Sequence, residues 1–342
     1  MSQHDTAGLD DSLPAWRDLT DPRRAREVDD LEQGLKEPVF ENLEIPEHLG
    51  PVDVLIDDHK IKRYAFTHDD YLPWALDTSP FDGQRIGHAA LLGNDLVQLF
   101  TTRYRASRTV GLHTEEQMWF DSPARMGQTV RLEGSYVESY SSRGQDYVVM
   151  EASARTPEGR SVVRHRGVEI LRTVPGKVAG RASAPAGTAR VSGEVDPAAR
   201  RVSVLDASVR VGDVLEPMHR EITQEQASVF SRIGEYVRNV HDDLDIARAN
   251  NLRIPIVQGQ QQFGLLATLL TRAFGAAFFT SGWIRAKFIQ PVEVFEPLEI
   301  SGTVTKVEPV EGGLACSLDV WARRADGKLS TIGWARAIVP TH

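Results

Sequence analysis

Six stretches of the chain read as strands: RLEGSYVESY, YVVMEASART and SVVRHRGVEIL in the first half, LEISGTVTKV, LACSLDVWARR and STIGWARAIV in the second. They are rich in β-branched and aromatic residues and largely alternate apolar with polar positions, as a strand with one buried face does. PEG and ADG separate the last two stretches of each set, and such turn residues predict hairpins. Upstream of each set lies a segment that is apolar on most faces, GHAALLGNDLVQLFTTRY in the first half and GQQQFGLLATLLTRAF in the second. A helix of that kind must be wrapped, and a curved antiparallel sheet can wrap it. The pattern predicts an α+β protein in which each half is a central helix rolled in a sheet.

The two halves are copies of one plan. FDSPARMGQTVRLEGSYVE aligns with FIQPVEVFEPLEISGTVTK so that Phe120 falls on Phe288, Pro123 on Pro291 and Gly134 on Gly302, an offset of 168 residues each time. The same offset carries VMEASARTPEGR onto SLDVWARRADGK and RHRGVEIL onto IGWARAIV without a gap. A single offset held that long marks an internal duplication. Residues 174–206 open with a Pro-, Gly-, Ala- and Ser-rich run that has no apolar period, and they read as a linker. The expected organisation is a polar tail or strap over 1–50, one unit over 51–173, the linker, and a second unit over 207–342.

Composition narrows the class without fixing it. A chain of 342 residues with 41% hydrophobic and 25% charged residues is ordinary for a globular protein of two units. With no run of eighteen apolar residues, no membrane span is expected. The start MSQHDTAGLDDSLPAW lacks a basic, apolar leader, and Cys316 has no second cysteine to pair with, which together predict a cytoplasmic location. Cys316 keeps step with Leu314, Leu318 and Val320, so it reads as a core thiol. A net charge of -9 argues against a nucleic-acid groove.

The chemistry-bearing stretch is RNVHDDLDIARANNLRIPIVQGQQ, residues 238–261. His241 is followed by Asp243, Ala247 and Pro255, and Gly259 stands eighteen residues after the histidine, at the start of the second apolar helix. With these landmarks the chain resembles the double-hotdog MaoC-like dehydratases, related to the (R)-specific enoyl-CoA hydratases, over roughly residues 55 to 340. The resemblance implies a duplicated hotdog fold and water addition to, or elimination from, an acyl thioester presented by CoA or a carrier protein. It implies a catalytic His at His241, and at Gly259 a backbone N–H for the thioester oxygen. It requires no cofactor and no metal, and it implies further pairing of chains into a homodimer or higher oligomer. The family's Asp, five residues before the His, is here Tyr236, with Glu235 beside it and Asn239 and Val240 replacing Pro-Ile. In the first copy Asp70 survives and the His position is Ala75, so the resemblance implies that this half has lost its own site and shapes an acyl tunnel.

Imidazole titrates near neutrality and serves as a base, and a glycine amide at a helix start favours a negative oxygen. The missing acid leaves two routes open: Glu235 supplies the carboxylate, or His241 shuttles the proton with help from Tyr236 and Asn239. Gln258 and Gln260 offer amides beside Gly259 for substrate or for the helix end, and Arg285 and Lys287 offer cations to a phosphate-bearing arm or simply to solvent. His88 and His113 read as packing or strand-surface histidines, and Asp243 as a helix cap. The expected function is a hydratase or dehydratase. A hotdog thioesterase and a non-catalytic acyl-binding or assembly subunit are the alternatives.

Overall fold

The computed structural model describes residues 25–142, 144–171, 191–231 and 237–341. The first half contains α1 (Ala25–Leu31), β1 (Glu47–Leu55), α2 (Asp58–His68), α3 (Pro73–Leu76), α4 (Gly93–Val97), β2 (Leu112–Phe120), β3 (Thr129–Ser142), β4 (Gln145–Arg155) and β5 (Ser161–Ile170). The second contains β6 (Arg201–Val202), β7 (Val214–Leu215), β8 (Met218–Arg220), α5 (Gln224–Ser231), α6 (Leu244–Ala249), α7 (Gly259–Phe274), α8 (Phe278–Ser281), β9 (Trp283–Phe288), β10 (Leu298–Val310), β11 (Gly313–Arg324) and β12 (Leu329–Pro340).

All twelve strands join one sheet in the order β1-β3-β4-β5-β2-β9-β12-β11-β10-β7-β6, with β8 also pairing β10. The two copies meet where β2 pairs antiparallel with β9, in a register that sets Gln117 opposite Arg285. Arg285 stands one repeat offset after Gln117, so the twofold axis relating the halves passes between these two residues. The predicted hairpins are present in both halves. Thr156 and Arg160 close one turn as Arg324 and Lys328 close the other, with Gly159 and Gly327 at matching left-handed positions.

Helix α7 is the centre of the second half. Every residue of it except Gly259 and Arg272 is buried. The run Gly259–Ser281 is long and apolar enough to cross a membrane by length and composition, and 72% of its most apolar window is buried inside the fold. Here it is a core helix, whose apolar faces are covered by sheet and by α2. At Gly264, Tyr64 and His68 of α2 pack directly on the α7 backbone: an added Cβ would stand 2.1 Å from His68 Nε2 and 2.6 Å from the Tyr64 hydroxyl. Gly264→Ala is therefore expected to destabilise the chain by about 1–3 kcal/mol, the usual cost of overpacking a tight core. Chemical denaturation measures this, and an unchanged midpoint would show that α2 yields without cost.

One predicted helix and two predicted boundaries need correction. The predicted long helix over 87–104 is the five-residue α4 followed by 3-10 turns over Gln98–Thr102. Gly93, Asn94 and Asp95 open α4 although they are weak helix formers, and the latter two make tertiary contacts: Asn94 Nδ2 donates to the Phe230 carbonyl at 3.0 Å, and Asp95 pairs with Lys60 at 2.7 Å. The tail over 1–50 is, from Ala25 onward, a bound strap. Glu32 accepts from the Ser107 amide at 2.9 Å, Lys36 pairs with Glu44 and Glu47 at 2.7 and 2.9 Å, and β1 begins inside the tail at Glu47 to pair with β3. Likewise, β6 falls within the predicted linker, whose residues 174–190 lie outside the described residues. Cys316 is a fully buried core residue, and burial pushes its thiol up to about 11, far from a nucleophile.

Candidate active site

Residues 237–258 form a folded loop that carries His241 to the start of α7. Asn239 organises its first turn, where its side-chain oxygen accepts from the His241 amide at 2.8 Å and its own amide donates to Asp242 at 2.7 Å. Asp243 caps α6 by accepting from the Ile246 amide at 2.9 Å and also pairs with Arg238. Asn250 ends α6, and Asn251 takes a left-handed conformation that turns the chain back towards Pro255. Asparagine tolerates that conformation better than most residues.

The returning segment then fixes the histidine. His241 Nδ1 lies 2.8 Å from the Ile256 carbonyl oxygen. A carbonyl only accepts, so Nδ1 carries the proton and the neutral ring keeps its lone pair on Nε2. Burial pushes the His241 pKa below its ordinary value, only partly opposed by the Ile256 bond, so the neutral ring dominates at pH 7. Ile256 is three residues ahead of Gly259, and the Val257 amide anchors this stretch to Val292 at 2.8 Å. The imidazole and the first turn of α7 thus belong to one local framework.

Gly259 is the first residue of α7, where helical geometry leaves the N–H without an intrahelical acceptor. A Cβ there would stand 3.1 Å from the Phe288 ring. The glutamines around it mostly hold the helix end. Gln258 donates to Asn94 at 3.0 Å, Gln261 donates to the Thr67 carbonyl at 2.8 Å, and Gln262 accepts from the Thr331 hydroxyl at 2.7 Å. Gln260 is buried, with its amide against Glu116.

Other candidates fall elsewhere. Arg285 is gripped by both Glu115 oxygens at 2.7 and 3.0 Å and lies over the Trp334 ring, and Lys287 reaches Glu115 at 3.5 Å. An incoming phosphate would compete with that carboxylate. Glu235 and Tyr236 lie outside the described residues. Asp70 is buried against α7, accepting from Thr268 at 3.1 Å and Arg272 at 2.9 Å. Thr268 is nine residues beyond Gly259, so at 1.5 Å per residue Asp70 sits roughly 13 Å along the helix from the glycine. His88 donates to the Asp70 carbonyl at 2.7 Å and is a core histidine.

Sequence reading misses a second group of buried titratable side chains. Glu116, fully buried on β2, accepts through one oxygen from His165 at 2.9 Å and from His113 at 3.0 Å. The ring of His113 meets Phe288 edge-on at 5.1 Å, next to Gly259. Burial pushes Glu116 and Glu169 up to about 7 and His165 down to about 4.

Two helix-and-sheet units fused through β2 and β9, one of them wrapped around a buried helix, define a double-hotdog protein. The solved structures agree: the chain has the double-hotdog fold found in MaoC-like dehydratases. A MaoC-like dehydratase matches at 18% identity and TM-score 0.67, covering 91% of this chain and 100% of its own. A putative MaoC domain protein dehydratase from Chloroflexus aurantiacus J-10-fl matches at 12% identity and TM-score 0.66, over 91% of this chain and 99% of its own. A conserved hypothetical protein from Mycobacterium tuberculosis, described as having a double hotdog fold, matches at 16% identity and TM-score 0.62, over 88% and 98%. No protein-family model and no curated protein matches the sequence.

Proposed function

We propose that the protein is a hydratase or dehydratase of an enoyl or 3-hydroxyacyl thioester, with His241 as the proton-transfer group and the Gly259 amide holding the thioester oxygen. The observation that carries this reading is the Nδ1 bond to Ile256, which leaves the lone pair on Nε2 and ties the ring to a residue three positions ahead of the start of α7. In the hydration direction Nε2 takes a proton from water as the water oxygen bonds to the β-carbon. The π electrons move onto the thioester oxygen, where the Gly259 N–H and the α7 dipole stabilise the negative charge. The imidazolium then returns the proton to the α-carbon, which restores the neutral ring. One histidine working as a shuttle balances the reaction without a second acid.

The experiment is hydration of short and medium enoyl-CoA esters, followed by the loss of conjugated absorbance. Hydrolysis to free CoA instead would identify a thioesterase, and inertness towards every ester would leave a non-catalytic subunit. The pH profile supplies a second check. Because burial lowers the His241 pKa, kcat/KM should stay level through neutrality and fall only below the ordinary 6.5, as Nε2 becomes protonated. An acid limb centred above 6.5 would contradict that assignment.

A further inference from the structure

The inner face of the first half differs in chemistry from that of the second. In the register of the repeat, Glu116 corresponds to Ile284, Tyr136 to Val304, His165 to Gly333 and Glu169 to Ala337. Strand pairing confirms the equivalence, since Glu116 lies opposite Gly167 as Ile284 lies opposite Ala335. Four polar side chains in one unit thus stand where the other has apolar or no side chains. All four are at least nine-tenths buried, with exposures of 0% for Glu116 and Tyr136, 2% for His165 and 8% for Glu169. They line one stretch of the sheet: His165 bonds Glu116 at 2.9 Å, Glu169 stands two residues beyond the Gly167 that lies opposite Glu116, and Tyr136 lies opposite Met150, which in turn lies opposite Gly167.

Each of the four keeps a polar atom without a hydrogen-bond partner among the described residues: Glu116 Oε1, Tyr136 OH, His165 Nδ1 and Glu169 Oε1. Buried polar atoms are seldom left unpaired, and four together mark a place built to be completed by a hydrogen-bonding group. The cluster is next to the proposed reaction centre. Gln260, adjacent to Gly259, lies against Glu116, and Phe288 connects His113 to Gly259. An alkyl chain laid here would leave the four atoms unmet. An anionic end would face two carboxyls, with no cation among the four.

We propose that this cluster is the terminus of the acyl site and selects thioesters whose chain carries a neutral oxygen, a hydroxyl or carbonyl, beyond the reacting carbons. The proposal rests on the acyl-thioester reading above and specifies its substrate class. The test is calorimetric binding of saturated ω-hydroxyacyl-CoA esters of short and medium length, against unsubstituted esters of equal length. The titrations use wild type, Glu169→Ala and Glu116→Ile, each variant taking the residue that the second half holds in register. The best hydroxylated ester should bind wild type ~10-fold more tightly than its unsubstituted counterpart, the effect of one well-made hydrogen bond to a buried polar group. That ratio should fall to near one in the variants, and if Glu116→Ile does not fold, Glu169→Ala decides. Equal binding of both series, or a preference that survives Glu169→Ala, overturns the polar terminus, as it would if water alone fills the cluster. Failure of every ester to bind would instead remove the thioester reading, and the terminus with it.

Discussion

His241→Ala should lower kcat/KM for hydration of an enoyl thioester by about 10²–10⁴-fold, the usual contribution of a positioned general base. The ring is half-buried, and its known tie to the fold is one bond to the Ile256 carbonyl, so the loss should be kinetic more than structural. The Asn239 bond to the residue 241 amide uses the main chain and survives the substitution. His241→Gln makes a useful companion, because it can keep a donor towards Ile256 but cannot shuttle a proton. If either variant keeps wild-type turnover, the imidazole is not the proton-transfer group.

Gly259→Val should cost about 10²–10³-fold in kcat, the range found when one donor to a developing oxyanion is lost. Here the donor remains but its approach is blocked. The first added carbon already stands 3.1 Å from the Phe288 ring, and two further methyls must displace either that ring or the substrate. Overpacking of this kind costs about 1–3 kcal/mol, which a domain with about 5–15 kcal/mol of stability withstands. The variant should therefore show native circular dichroism, cooperative unfolding and little hydration. Turnover near wild type in a folded Gly259→Val protein would exclude the amide from the reaction.

Much of the architecture is legible in the chain because it is written twice. The offset that puts Phe120 on Phe288 also places the strands and the hairpin turns, whereas the β2–β9 seam, centred on the equivalent residues Gln117 and Arg285, is visible only in the strand pairing. What is present only once is harder to read. The strap from Ala25 to β1 has no counterpart to align with, and its polar composition concealed contacts such as Glu32 with Ser107. The first apolar segment has helical periodicity but is α-helical only over α4, and the tertiary partners of Asn94 and Asp95, Phe230 and Lys60, are not readable from local pattern.

The site divides along the same line. The family resemblance singles out His241 and Gly259, yet the tautomer of the ring depends on Ile256, which reaches it only through the turn at Asn251. The Glu116 cluster was within reach of the alignment, because polar residues face Ile284, Val304, Gly333 and Ala337 across the repeat. Recognising it required the strand register, which shows that these scattered polar positions turn to the same interior.

Joining both copies in one polypeptide has a consequence for what the seam permits. In a dimer of identical chains, any carboxyl placed in one chamber is automatically placed in the other, and any contact beside the axis occurs twice. Here the axis survives as geometry while its chemical obligation is lifted. Glu115 holds Arg285 on one side, and the positions related to them by the repeat are Trp283 and Gln117, which cannot form the same ion pair. Fusion thus lets one chamber become hydrophilic while its twin stays greasy, an asymmetry that no mutation in a symmetric dimer could introduce on one side alone.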